Sequence, residues 1–138
     1  MAVTLVNPPE LARALGFSHA ATARGTVVAL AGQIGWDRSS KLVSTDFVLQ
    51  FEQALSNLCV ALAAAGGTPS DLVSLRIYVV DKHEYGKRTT EVGAVYRKLI
   101  GRHFPAMALV QVADLLEPGA RVEIEGMAVL SGAGEAYS

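Results

Sequence analysis

Residues 46–80 read DFVLQFEQALSNLCVALAAAGGTPSDLVSLRIYVV, which predicts a long amphipathic helix followed directly by a strand. Asp46 is a residue type that caps helix N-termini, and the apolar positions after it recur every three or four residues, so they share one helical face. This face comprises Phe47, Phe51, Leu55, Leu58 and Leu62. We expect the helix to run to about Ala65 and to end at Gly66-Gly67, since glycine adopts the left-handed conformation found after many helices.

The strand that follows alternates in polarity over residues 72–80, so its side chains point to opposite sides of a sheet in turn. The predicted core side carries Val73, Leu75, Ile77 and Val79, and the opposite side carries Ser74, Arg76 and Tyr78. A second helix is predicted over about His83–Arg102, before the helix-breaking Pro105. Two further strands are predicted at Met107–Ala113 and Arg121–Leu130, joined by a turn at Glu117-Pro118-Gly119.

Near the N-terminus, the short runs Ser18–Ala23 and Thr26–Ala31 flank Arg24-Gly25 and predict a β-hairpin. Pro8–Leu15 predicts a short helical turn. The element order therefore predicts an α+β fold, with two helices packed on one face of a mixed sheet. The other face would carry Arg121, Glu123 and Glu125 with Ser74 and Arg76 among apolar residues, and we expect it to meet another subunit.

Composition bounds the class of protein. The chain has 138 residues, of which 51% are hydrophobic and 18% charged, with a net charge of −1. We expect one domain over residues 1–130 and a loose tail over residues 131–138. The charge argues against general nucleic-acid binding, and no apolar run approaches the roughly 20 residues that span a bilayer. With no signal-like start, we expect a cytoplasmic protein and no membrane partner.

Common catalytic and metal motifs are missing from the sequence. The single Cys59 lies beside the apolar stripe of its helix and is interpreted as an inert thiol. The three histidines lack metal-ligand spacing, so no metal site is predicted. Ser18 and His19 are neighbours on a predicted strand and point to opposite faces, which excludes a nucleophile–base pair. Arg102 and His103 are interpreted as solvated cations at a helix end.

Several motifs taken in order resemble the RidA/YjgF/UK114 family. They are Gly16-Phe17-Ser18-His19-Ala20, Ala31-Gly32-Gln33-Ile34, Ala64-Ala65-Gly66-Gly67, Asp71-Leu72-Val73, Val95-Tyr96, Phe104-Pro105-Ala106 and residues 121–129. The resemblance covers about residues 16–130. It implies a chorismate-mutase-like fold, a homotrimer with a central barrel, and a small-molecule cleft at each subunit interface. In catalytic members such a cleft hydrolyses imino or enamino acids to keto acids and ammonia without a cofactor.

The resemblance also implies roles for individual residues. The glutamate that positions water falls on Glu123, and a glycine whose backbone approaches the ligand falls on Gly32. Phe17, before Ser18, takes the place of a more usual tyrosine. Met107 stands where deaminases carry the arginine that grips the substrate carboxylate.

Further differences and candidate contacts accompany that change. Gly93 replaces a frequent asparagine, and the backbone at Leu109 is a candidate ligand contact. Arg76 is either a replacement cation or the ion-pair partner of a glutamate on its own face. Trp36 either lines the cleft or shields the subunit seam.

Two interpretations of function stay open at this point. The first is a hydrolytic deaminase that acts on an enamine, an imine or a related unsaturated amino compound, with Glu123 activating water. The second is a non-catalytic trimer that binds metabolites or proteins in a chaperone or regulatory role. Glu123 would have a purely structural role if it formed an ion pair with Arg121 or Arg76. Ribonuclease activity, attached to some relatives, is disfavoured by the net charge of −1 and by the lack of a basic aromatic stripe.

Overall fold

A mixed four-stranded sheet forms the centre of the fold in the computed structural model, which describes residues 3–131. The strands are β1 Val3–Val6, β2 Ala20–Ala23, β3 Thr26–Gln33, β4 Leu72–Val79, β5 Ala106–Gln111 and β6 Val122–Leu130. The helices are α1 Phe47–Ala64, α2 Lys82–Lys87 and α3 Thr89–Leu99, with a short 3-10 turn at Pro69–Asp71. The tail predicted as loose lies, from residue 132 onward, outside the described residues.

The order of the strands confirms the predicted mixed sheet. It runs β3-β6-β4-β5, with β6 antiparallel to both of its neighbours and β4 parallel to β5. A parallel pair needs a long crossover, and α2 and α3 supply it between β4 and β5. The helices therefore cover one face of the sheet, and we call the other the helix-free face.

The long helix α1 forms as predicted. The Asp46 carboxylate accepts a hydrogen bond from the Leu49 backbone N–H at 3.1 Å, which caps the first turn. The predicted apolar face is buried and contacts β3 and β6. By length and composition alone α1 could also cross a membrane, a criterion that the core helix of a globular fold meets as well.

Gln50 is a buried polar residue on α1 that fastens loops to the core. Its side-chain amide donates to the carbonyl oxygens of Ser44, at 2.9 Å, and Gly119, at 3.0 Å. Its side-chain oxygen accepts from the backbone N–H of Arg121 at 2.8 Å. These groups lie in the loop before α1 and in the loop before β6, so one side chain ties both loops to α1.

The predicted hairpin around Arg24-Gly25 is wrong. β2 pairs with β1 in a separate two-stranded sheet, whereas β3 pairs with β6. A Cβ at Gly25 would lie 1.9 Å from the carbonyl oxygen of Leu130, so the glycine packs closely against the end of β6. The chain changes sheets at this position instead of folding back on itself, and β1 was not predicted.

The second predicted helix is two helices, so three helices cover the sheet instead of two. The break lies at Arg88, whose backbone has φ −122° and ψ 21°. The Arg88 guanidinium donates to Asp46 at 3.0 Å and to Glu91 at 2.9 Å, so two ion pairs hold the break. The predicted turn after the proline pair is a single turn, closed by a hydrogen bond from Leu11 N–H to Pro8 O at 3.2 Å.

The predicted alternation of β4 is confirmed from Leu75 onward. Leu75, Ile77 and Val79 are buried, whereas Arg76 is exposed and Tyr78 half-buried. At the start of the strand the register against β6 shifts between Leu72 and Ser74. The shift buries Leu72 in place of the predicted Val73.

Candidate functional site

The predicted site residues fall on two sides of the sheet. Glu123 and Arg76 lie on the helix-free face, because they alternate with the buried Ile124 and Ile77. Gly32 faces Glu123 there, because the register of β3 shifts between Leu30 and Gln33 and interrupts the alternation of this strand. Phe17, Met107 and Leu109 line a cavity on the helix side. Within one chain, the predicted site residues are therefore divided between the helix-free face and the helix side of the sheet.

Glu123 lies against Gly32 across the β3–β6 pair. A Cβ at Gly32 would be 2.0 Å from Glu123 Oε2, so the carboxylate occupies the space that a side chain at position 32 would fill. The register of β3 shifts between Leu30 and Gln33, in the stretch that contains Gly32. Within residues 3–131, none of the side-chain hydrogen bonds or ion pairs involves Glu123. The ion pairs that would have made Glu123 structural are not formed in this part of the chain.

Glu125 has a partner on the same face. It lies opposite Arg76 in the register of β4 and β6, but its carboxylate accepts a hydrogen bond from the Tyr78 hydroxyl instead. This hydrogen bond, together with burial and the nearby negative charge, raises the pKa of Tyr78. Arg76 is exposed and joins none of the ion pairs formed within residues 3–131.

Arg121 does not belong to the helix-free face as predicted. It precedes the first residue of β6, so the strand alternation does not extend to it. Its guanidinium Nε donates to Glu84 on α2 at 2.6 Å. The charged residues on the helix-free face are therefore Arg76, Glu123 and Glu125, without the predicted Arg121.

A cavity of about 450 Å³ lies between α3, the edge of β4 and β5, and the loop before β2. It is lined by Leu15, Gly16, Phe17, Phe51, Ile77, Tyr85, Thr89, Val92, Gly93, Tyr96, Arg97, Phe104, Met107 and Leu109. Tyr96 stacks on Phe104 with ring centroids 5.4 Å apart, and its hydroxyl donates to the His103 carbonyl at 2.6 Å. Burial raises the pKa of Tyr96, so its phenol stays neutral. The lining is mostly apolar and contains no carboxylate.

The loop that carries Phe17 is fixed to the start of β5. The Ser18 backbone N–H donates to the Pro105 carbonyl at 3.0 Å, and Ser18 bridges to Ala106. This contact brings Phe17 to the cavity beside Met107. Ser18 itself is buried, and its hydroxyl accepts from the Asn7 side chain at 3.3 Å, so it does not line the cavity.

Trp36, another predicted site residue, does not line the cavity. Trp36 follows β3 and bridges to Leu42, and its carbonyl oxygen accepts from the Asn57 side chain at 2.9 Å. The prediction that His103 is solvated is wrong, because its ring is half-buried and bonded to the backbone. Its Nε2 lies 2.7 Å from the Leu72 carbonyl oxygen, so that nitrogen carries hydrogen and ties the end of α3 to β4.

Sequence reasoning missed the contribution of α3 to the cavity. Gly93 and Arg97 both line it, although only the glycine was noted, as a difference from the family pattern. Their spacing of four residues puts them on one side of the helix, and this is the signal that could have found them. Burial raises the pKa of Cys59, in keeping with the inert thiol that was predicted. Among the described residues, no group of three or more His, Cys, Asp or Glu is placed to hold a metal.

Comparison with known proteins identifies the family. The family described as Endoribonuclease L-PSP matches residues 9–130. This chain belongs to the RidA/YjgF/UK114 family. A Rid-family protein of unknown function from Yersinia pestis has the same fold, with a TM-score of 0.82 and 33% identity over 94% of this chain and 100% of that one.

Other RidA/YjgF/UK114 relatives agree in length and fold. A Mycobacterium tuberculosis member has a TM-score of 0.62 and 35% identity, covering 94% of this chain and 100% of that one. The human protein named 2-iminobutanoate/2-iminopropanoate deaminase is 36% identical over 101 residues, which cover 72% of this chain and 70% of that protein. The mouse protein of the same name is 32% identical over 126 residues, which cover 91% and 90% respectively. The YjgF-like fold predicted from the resemblance is thereby confirmed.

Proposed function

We propose that this RidA-family chain is a small-molecule deaminase that hydrolyses an imine or enamine and releases ammonia. Relatives at 32–36% identity carry the name of an imine deaminase, which supports this class of reaction. The observation that carries the proposal is the Glu123 carboxylate, which lies over Gly32 with no ion-pair partner among residues 3–131. A carboxylate in that state is free to hold a water molecule.

The chemistry needs water, a proton and a grip on the substrate. Glu123 orients water toward the C=N carbon and takes up its proton as the C–O bond forms. The resulting amino alcohol collapses when the nitrogen is protonated, the C–N bond breaks, and ammonia and a carbonyl compound leave. Because Gly32 has no side chain, the Glu123 carboxylate lies against the main chain, and backbone N–H groups beside it are suited to polarise the substrate.

The site forms between two copies of the chain. Glu123 and the cavity with Met107 lie on opposite sides of the same sheet, so one copy cannot bring both to one substrate. A neighbouring copy that packs its cavity edge near the helix-free face can do so. We therefore propose a trimer in which each site takes the carboxylate from one protomer and the cavity from the next.

Met107 favours substrates other than the 2-imino acids named for the deaminase relatives. It lines the cavity with a thioether, which is polarisable and apolar, where the resemblance implies a guanidinium. Loss of a charge-assisted hydrogen bond to a carboxylate reduces affinity by about ten- to a hundredfold. An unsaturated amino compound with a larger apolar part is the better fit.

Stopped-flow detection of ammonia tests this proposal, with freshly generated 2-imino acids and with enamines that carry an apolar group in place of the carboxylate as substrates. Glu123→Gln should lower kcat by about a hundredfold or more, because the base is lost. Glu125→Gln is the matched control on the same strand face and should keep most of the activity, since its carboxylate is already bound by Tyr78. Met107→Arg should raise the rate on 2-imino acids relative to enamines.

The alternative is a metabolite-binding or regulatory trimer without catalysis. Its mostly apolar cavity would serve such a role equally well. Binding of these compounds to the wild type with no ammonia release would favour the alternative. Equal activity in Glu123→Gln and wild type would contradict the proposed base.

A further inference from the structure

Arg97 places a positive charge at the cavity on α3. It is exposed and lines the same space as Met107 and Phe17. Of the cavity-lining residues, all of which lie within the described chain, Arg97 alone bears a full charge. A guanidinium beside an apolar pocket is an arrangement that suits a ligand with an apolar body and one anionic end.

Gly93 provides the space in which this guanidinium lies. It is four residues before Arg97, one helical turn away, and a Cβ at Gly93 would be 3.3 Å from Arg97 Nη1. Long helical side chains point back toward the N-terminus, so Arg97 covers the turn that contains the glycine. Any larger side chain at position 93 would compete with the guanidinium for this position.

The charge of Arg97 is not neutralised within the described chain. None of the ion pairs formed within residues 3–131 involves it, and neighbouring cations are paired elsewhere. Lys98, the next residue, donates to Glu52 at 2.6 Å, and Arg88 binds Asp46 and Glu91. The bidentate donors of Arg97 are therefore available to an anion that enters the cavity.

We propose that Arg97 is the anion-binding residue of the cavity and that the ligand is a small carboxylate with an apolar body. The carboxylate accepts two parallel hydrogen bonds from the guanidinium while the apolar part lies on Met107 and Leu109. The proposed function bears on this inference only in that the bound carboxylate would be the substrate of the deaminase. The binding itself requires no turnover.

Calorimetric titration of the full-length protein with hexanoate tests the inference, with hexanamide as the uncharged probe of the same shape. Hexanoate should bind the wild type more tightly than hexanamide, and Arg97→Gln should weaken hexanoate by about ten- to a hundredfold. The affinity of hexanamide should not change. Arg97→Lys should bind hexanoate with intermediate affinity, because lysine keeps the positive charge but lacks the two parallel N–H donors of the guanidinium. Added salt should weaken hexanoate binding to the wild type and leave binding to Arg97→Gln nearly unchanged.

Three control variants separate anion binding from folding and from catalysis. Gly93→Gln keeps Arg97 but fills its space, so it should also weaken hexanoate; Arg102→Gln, outside the cavity, should not. Equal hexanoate affinity in wild type and Arg97→Gln, or no preference over hexanamide, would overturn the inference. If Glu123→Gln binds hexanoate normally but releases no ammonia, the assignment of Arg97 as the anion-binding residue is supported independently of catalysis. Loss of trimer in Arg97→Gln would show that it pairs with another copy instead.

Discussion

At the scale of single residues, Gln50 shows how one buried amide organises the fold. It is fully buried on α1 and satisfies two carbonyl oxygens and one N–H from distant parts of the chain. Buried polar groups are tolerated only when they are bonded, so the cost of losing this side chain falls on its three partners. In the sequence, Gln50 is only a polar residue beside the apolar face of the helix, and the pattern cannot reveal its hydrogen bonds to the two loops.

Replacement of Gln50 by Leu should lower the free energy of unfolding by about 1–3 kcal/mol for each partner group left buried without a hydrogen bond. Urea denaturation followed by circular dichroism measures the change. Gln53→Leu is the matched control, because Gln53 is half-buried and donates to Asn57 on the same helix. A loss for Gln50→Leu no greater than for the control would contradict this assignment.

Cys59 should react slowly with thiol reagents in the folded protein. Burial raises the pKa of its thiol, so the reactive thiolate is scarce at neutral pH. Labelling with a disulfide reagent at pH 7.4 should be much slower in buffer than in denaturant. Equal rates in the two conditions would show that the thiol is exposed and activated.

At the scale of elements, α1, β4 and β6 follow from the sequence because most of each element has a regular period of apolar residues and a clear end signal. The β1–β2 pair and the break at Arg88 do not, since both depend on partners distant in sequence. For the site, Glu123 and Gly32 were predicted from the resemblance, whereas Arg97 was missed. A cation on an amphipathic helix is usually solvated, and only the packing of α3 places this one at a cavity.

Asp46, which caps α1, should make the free energy of unfolding fall at acidic pH. Hydrogen bonds from Arg88 and from the Leu49 N–H lower the pKa of Asp46 in the folded state. Because the unfolded chain binds the proton more readily, this contribution is complete above the unfolded value of about 3.9 and is lost as pH falls through the lower folded value.

Asp46→Asn should be less stable than wild type at pH 7, and the difference should shrink at a pH below the unfolded value of about 3.9. Asparagine is itself a good cap, so the variant removes the charge and keeps the cap. Denaturation at the two pH values measures the difference. A difference independent of pH would contradict the role of the Arg88 ion pair.

At the scale of the whole molecule, the helix-free face is the surface we expect to meet other copies. It exposes apolar side chains on three strands, with Val27 60%, Val110 46% and Met127 38% exposed. Around them lie Ala29, Ala31 and Ala108, which are small and exposed. Exposed apolar side chains beside the charged Arg76, Glu123 and Glu125 on one sheet face suit a subunit interface, in which both kinds of residue find partners.

Met127→Glu should dissociate the proposed trimer, because it adds a negative charge among the exposed apolar side chains of this face. Light scattering coupled to size-exclusion chromatography measures the mass. Leu116→Glu is the control, since Leu116 is 100% exposed and lies outside the sheet. A wild type that runs as a monomer, or a Met127→Glu variant that remains a trimer, would contradict this interface.

Subunit complementation tests the central claim most directly. Glu123→Gln and Met107→Trp, in which the indole fills the cavity, should each form trimers that release little ammonia from the best substrate of the wild type. After subunit exchange at equal concentrations, about one site in four should combine an intact carboxylate with an intact cavity from the neighbouring copy, which restores about a quarter of wild-type activity. Mixed trimers as inactive as their parents would show that Glu123 and the cavity do not act together across an interface.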